Sequence, residues 1–446
     1  MPIFGRVLSL ILALACAAAA AEREPWDVFQ ARRRHLSAQH PGPIVLFGYG
    51  DHEGLATRSA FRQENNFYYL TGCQEPDAAL LLLPPVGEAA YQEILFLPRR
   101  DARRERWTGP RIGPPDADVL SKTGFSEVRD RDDLRAAVLR ILEDQQRLHA
   151  LLPDTPSYGH LPAPDAEKLL KAIDQKITVA DVRLSLARMR LVKSEGEIRL
   201  IQKAVDATTE AHQTAWRTIR PGLFEHQVAA TMLATLLDRG SERPAYSPIV
   251  GAGANAVVLH YVDNTARLRE GELVLMDVGG EYGGYAADIT RTVPVSGRFS
   301  ERQRQLYESV LGAQKAAIAA VKPGMRLGGQ GPNSLTDIAK EYLRSEGKDQ
   351  AGNSLSPYFF HLIGHHVGLE VHDPGDPDLE LQPGMVITIE PGVYLPEEGI
   401  GIRIEDMVLV TEGGARVLSA RLPREAAEIE QRMQGSARRN SLEEKK

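Results

Sequence analysis

Apolar and polar positions run in blocks along the chain, and the first blocks predict strands. PIVLFGYG, NNFYYLTG, AALLLLPP and EILFLP are short apolar runs set between polar stretches, which reads as four strands. Helical spacing follows over residues 132–148 and 164–174, so residues 22–183 form a mixed α/β unit. In RMRLVKSEGEIRLIQKAVDATTEAHQTAW the apolar spacing turns helical again, with Ile198, Ile201, Ala204, Val205 and Thr208 on one face. A boundary near residues 184–197 therefore opens a second domain, residues 184–433. A further helix is expected at residues 224–239. AYSPIVGAGANAVVLHY then reads as a glycine-rich loop and a strand ending at His260. The fold class is α/β in the broad sense, with α+β character.

Two later stretches alternate around turn residues and predict hairpins. In ELVLMDVGGEYGGYAADITRTVPV, a turn centred between Tyr282 and Gly283 sets Asp277 opposite Asp288 on one face. In MVITIEPGVYLPEEGIGIRIEDMVLV, a turn centred on Glu397 and Glu398 sets Glu390 opposite Glu405. Opposed carboxylates lie about 4.5–5.5 Å apart at Cβ and repel unless a cation stands between them. Between the hairpins, HLIGHHVGLEVHD carries His361, His365, His366 and His372. One Asp in a strand is ordinarily structural, and His366 reads that way too, but two centred carboxylate pairs are harder to explain without metal. Four carboxylates and one imidazole suit Mn²⁺ or a similar cation, and paired ions about 3.5–4 Å apart activate water. No HExxH is present, and Gly364 and Gly368 disfavour a regular ligand helix.

Composition, charge and the ends of the chain add further points. The net charge of -7 leaves no footprint for nucleic acid. The opening MPIFGRVLSLILALACAAAAAEREPWD reads as a secretory leader over residues 1–21, too short for a membrane span. Its cleavage near Ala21 implies a secreted or periplasmic protein, and Cys16 offers the alternative of a lipid anchor. Without the leader only Cys73 remains, which rules out an internal disulfide. The run Arg32-Arg33-Arg34 reads as a solvated helix face, and the polar end at residues 434–446 is expected to be disordered.

The segment from Glu272 to Asp406 resembles the catalytic core of the pita-bread metallopeptidases, in the Xaa-Pro aminopeptidase (aminopeptidase P) branch. The resemblance extends over residues 41–433 and includes FRQENNFYYLTGCQEPDAALLLL and ERWTGPRIG in the amino-terminal domain. It implies two divalent metal ions held by Asp277, Asp288, His365, Glu390 and Glu405, most naturally Mn²⁺, with Zn²⁺ or Co²⁺ as alternatives. His260, His361 and His372 would line the substrate pocket, Arg403 would stand beside the carboxylates, and Glu390 would serve as general base for a metal-bridging hydroxide. Trp107 would either contact substrate bound to a neighbouring subunit or pack beneath its own loop. The implied activity is removal of the first residue from peptides with proline second, by a homodimer or homotetramer. Prolidase, methionine aminopeptidase and a ligand-less binding module of the same fold are the competing readings.

Overall fold

The computed structural model describes residues 22–50, 61–85, 90–151 and 164–443; the leader, with Cys16 and Ala21, lies outside the described residues. The amino-terminal domain is built on a six-stranded mixed sheet. Its strands are β1 (Ile44–Phe47), β2 (Ala79–Leu83), β3 (Gln92–Leu97), β4 (Val128–Asp130), β5 (Arg147–Ala150) and β6 (Thr178–Asp181), in the spatial order β4-β3-β2-β1-β5-β6. Runs such as IVLF and ALLLL are apolar at every position because the sheet is covered on both faces. Val45, Leu81, Ile94 and Phe96 meet Leu134, Val138 and Leu142 of the helix Leu134–Leu142. Ile44, Leu46, Leu80 and Leu82 face the other way, into a core continuous with that of the second domain.

Three expectations for this domain are corrected. NNFYYLT is a helix, Asn65–Thr71, not a strand. The Glu64 side chain accepts from Phe67 N at 2.6 Å, and Gly72 ends the helix in the left-handed region, so two caps outweigh the strand preference of the aromatic residues. Residues 132–148 are not one helix, since the chain breaks after Leu142 and enters β5 at Arg147. Arg32 and Arg33 are buried rather than solvated. Arg33 forks onto Glu93 at 2.9 and 2.8 Å, and Arg32 lies 3.0 Å from Glu197 in the second domain.

The second domain opens with a capping box in which Ser194 and Glu197 start the 24-residue helix Glu195–Thr218. With the helices Glu225–Asp238, Glu301–Ala320 and Leu335–Ser345, it backs a set of short antiparallel sheets. The strand ahead of His260 is Ile249–Ala252; a short 3₁₀ turn, Gly253–Val257, then intervenes, so His260 lies in a turn and not at a strand end.

The first hairpin differs from expectation in register. The chain reverses at Gly283 and Gly284, whose φ values of 59° and 83° suit glycine, and Asp277 pairs with Thr290 rather than Asp288. Moving the turn centre by one position moves every partner by two, so Asp288 keeps the face of Asp277 and sits diagonally from it. The second hairpin has the expected register: Ile389 opposes Asp406 and Gly392 opposes Arg403, which sets Glu390 opposite Glu405. The hairpins are joined where Glu405 N donates to Thr290 O at 3.0 Å. The helix Ala426–Glu443 continues through most of the segment expected to be disordered, where Ala, Arg, Leu and Glu favour helix. No helix among the described residues is long and apolar enough to cross a membrane.

Candidate active site

Strand pairing brings the candidate ligands together. Asp277 ends the strand Leu273–Asp277, and Asp288 stands two residues before the strand Thr290–Pro294. His365 lies on a segment laid against the strand Val386–Ile389: Thr388 N donates to His365 O at 2.9 Å and His365 N donates to Thr388 Oγ1 at 3.0 Å. Gly364 permits this approach, because a Cβ there would stand 2.1 Å from Thr388 O. One ligand atom each from Asp288, His365 and Glu405 lie within 4.8 Å of one another. His365 Nε2 is 3.3 Å from Asp288 Oδ2 and 3.6 Å from Glu390 Oε1.

Around these five residues stand Arg403 and His361, expected here, together with Tyr246, Thr290 and Tyr394, which the sequence does not single out. The Tyr246 hydroxyl lies 2.5 Å from both Asp277 Oδ1 and Asp288 Oδ1. Thr290 Oγ1 donates to Glu405 Oε2 at 2.7 Å and accepts from Arg403 Nε at 3.2 Å. Arg403 also places Nη2 2.5 Å from Asp277 Oδ2 and Nη1 3.0 Å from the Tyr394 hydroxyl. That hydroxyl lies 3.0 Å from His361 Nε2. Thr290 could have been found from the correct register and Tyr394 from alternation along its strand; Tyr246, alone in a loop, left no signal.

The electrostatics follow from burial. Desolvation, then crowding by Asp288, Glu390 and Asp277, pushes Glu405 well above the usual carboxylate range. Desolvation raises Glu390 to about 7 and Asp277 to about 6, with Arg403 opposing in both cases. Asp288 is desolvated too, yet His365 holds it below the ordinary value. Burial depresses the His365 imidazole, but Asp288 and Glu390 outweigh it and raise the group to about 9. Four carboxylates facing one guanidinium and one imidazole form a donor set that divalent cations would balance. His365 Nδ1 is engaged by His366 O at 3.1 Å, which leaves Nε2 toward the carboxylates, as in histidines that bind metal.

The remaining candidates are placed as follows. His372 is exposed, with its ring centroid 4.1 Å from that of His365. His260 is exposed, while His361 is partly buried between Phe359 and Tyr394. Burial lowers His361 to about 4, and His372, open to solvent on one side, is lowered to about 4 by desolvation where it meets its neighbours and then by the adjacent His365. Trp107 is 87% exposed on the helix Ala102–Thr108, so it does not pack beneath its own loop.

Known proteins share both domains. Metallopeptidase family M24 matches residues 199–412, and the Aminopeptidase P, N-terminal domain, matches residues 29–149. The chain is 36% identical to a Xaa-Pro aminopeptidase of Haemophilus influenzae over 438 residues, covering 92% of this chain and 97% of that one. It is 35% identical to the Xaa-Pro aminopeptidase of Escherichia coli, covering 90% and 96%. The structure of Escherichia coli aminopeptidase P with the inhibitor Pro-Leu superposes with a TM-score of 0.82 at 30% identity, covering 94% of this chain and 100% of that one. Carrying both domains in order and aligned with these relatives over nearly its whole length, this chain belongs to metallopeptidase family M24, in the aminopeptidase P branch.

Proposed function

We propose that the chain is a metal-dependent exopeptidase that removes the amino-terminal residue from peptides with proline second. The observation that carries this reading is the convergence of Asp288, His365 and Glu405, with Glu390 on the same imidazole and Asp277 joined to Asp288 through the Tyr246 hydroxyl. Divalent ions held by these five residues would polarise the scissile carbonyl and make water a nucleophile near neutral pH. Glu390, steadied by the Thr388 hydroxyl at 3.3 Å, takes the proton of the attacking water. His372 and His260 offer N–H groups to the oxyanion that develops. His361, linked through Tyr394 to Arg403, relays the proton taken by Glu390 to the departing proline nitrogen. The positive amino terminus of the peptide is drawn to the carboxylates, which restricts cleavage to the first bond. Proline at position two gives a tertiary amide with no N–H, so recognition rests on the ring.

Mn²⁺ is the native ion in this reading, since one imidazole among carboxylates is an oxygen-rich set; Zn²⁺ or Co²⁺ would occupy the same groups. One solved relative, Escherichia coli aminopeptidase P, is described as Zn substituted and in complex with product. The exposed Trp107 supports a dimer or tetramer in which its indole meets peptide bound to a neighbouring subunit. The leader supports activity outside the cytoplasm. The test uses purified protein stripped of metal and refilled with Mn²⁺. Release of the first residue is compared for Xaa-Pro-Xaa peptides, Xaa-Pro dipeptides and Met-Ala peptides. Cleavage of the longer proline peptides is expected; cleavage of dipeptides alone would make the protein a prolidase, and bound metal without activity would leave a binding module.

A further inference from the structure

Arg190 and Lys193 lie at the junction of the two domains, and both are buried. Arg190 Nη1 donates to Asn66 Oδ1 of the amino-terminal domain at 2.8 Å. Its Nη2 donates to Glu370 Oε1 at 2.9 Å and to Asp373 Oδ1 at 2.7 Å in the second domain. Asn66 is itself braced, its Nδ2 donating to Glu64 Oε1 at 2.9 Å. Lys193 Nζ takes the other oxygen, Asp373 Oδ2, at 3.1 Å. Asp373 is therefore held at both oxygens by cations from the interdomain segment, while its N–H donates to His366 O at 2.9 Å. The loop from His366 to Asp373 is thus closed at its base, next to the candidate ligand His365. His372, the neighbour of Asp373 in sequence, projects from that loop onto the His365 ring.

We propose that Arg190 is a positioning residue for the reaction: through Asp373 it fixes the direction of His372, so that docking of the amino-terminal domain sets the geometry of a substrate-contacting histidine. The proposal rests on His372 acting on substrate, as argued above. The guanidinium is suited to this because its two nitrogen arms engage both domains at once, which a single ammonium cannot do. The connection also gives the amino-terminal domain a part in turnover.

The test is a double-mutant cycle between Arg190 and His372 in full-length protein loaded with Mn²⁺, read as kcat and KM on an Xaa-Pro-Xaa peptide. Arg190→Lys is expected to lower kcat roughly 10- to 100-fold, the range for groups that orient an active-site residue, with KM and bound Mn²⁺ changed much less. In a His372→Ala background the same substitution is expected to cost less than threefold. Arg190→Gln, which keeps no charge, is expected to lower kcat further than Arg190→Lys. Should Arg190 variants not fold, Asn66→Ala releases one arm of the guanidinium and leaves its ion pairs with Glu370 and Asp373. It is expected to lower kcat severalfold, again only where His372 is present. An equal loss in both backgrounds, or a loss that follows metal content or melting temperature, would overturn the proposal. Full turnover by His372→Ala alone would instead remove the reading of His372, and this inference with it.

Discussion

Tyr246→Phe deletes one oxygen from the second layer of the site. The hydroxyl stands 2.5 Å from Asp277 Oδ1 and 2.5 Å from Asp288 Oδ1, yet it has one proton to give. It therefore supplies one charge-assisted hydrogen bond shared across two carboxylates, worth about 1.5–3 kcal/mol. At about 1.36 kcal/mol per factor of ten, that spans roughly 10- to 150-fold. Asp277 keeps Arg403 at 2.5 Å and Asp288 keeps His365 at 3.3 Å, so neither acid is left without a partner. The lower part of the range applies, and Mn²⁺ affinity should weaken about 10- to 30-fold, in line with other groups that steady metal ligands. A chelator-competition titration measures the Kd, with kcat at saturating Mn²⁺ and a thermal melt as controls for the fold. A Kd within threefold of the wild type would refute the claim that Tyr246 holds the two aspartates in place.

The other expectations are more direct. Arg403→Lys should lower kcat/KM about 100-fold, because an ammonium cannot bond Thr290, Tyr394 and Asp277 together and each bond to a charged group contributes about 1.5–3 kcal/mol; retention of a tenth of the activity would contradict this. Mn²⁺ at about 100 times its Kd should stabilise the protein by about 2.7 kcal/mol. That corresponds to roughly 5–10 °C in Tm for a domain of this size, and equal melting with and without EDTA would count against a bound ion. Desolvation works to raise Glu93, but the Arg33 fork outweighs it and holds the carboxyl below its ordinary value. The unfolded chain therefore takes up that proton first, so the stabilisation is complete above about pH 4.3 and fades as pH falls below it. Urea titrations of the wild type should show this acid loss. Arg33→Met should remove it and cost about 3–5 kcal/mol at pH 7, and an unchanged pH profile would count against the pair.

Much of the site was legible because metal ligands are chemically conspicuous. Carboxylates inside apolar strands conflict with their surroundings, and the conflict showed at Asp277, Asp288, Glu390 and Glu405. The Glu390–Glu405 register was readable because Glu397 and Glu398 mark the middle of a plain turn. In GGEYGG two glycine pairs compete for the turn, and only the structure shows Gly283 and Gly284 taking it. Arg32 and Arg33 were misread because three adjacent arginines look solvated, whereas their partners Glu93 and Glu197 lie far along the chain. Asn65–Thr71 was misread because strand-forming side chains hid the Glu64 cap. Such long-range partners, like Tyr246, carry no periodicity that a linear reading can detect.

The union of the two hairpins bears on how the protein comes into being. Arg403 and Asp277 are 126 positions apart and Thr290 and Glu405 are 115 apart, so the ligand set does not exist until remote parts of the chain have met. Contacts of such long range close late and slowly. A chain still emerging from synthesis would hold the carboxylates scattered, without the geometry to capture a cation. Ion uptake then acts as a seal on completed folding, drawing the final equilibrium toward the finished molecule and toward no earlier form.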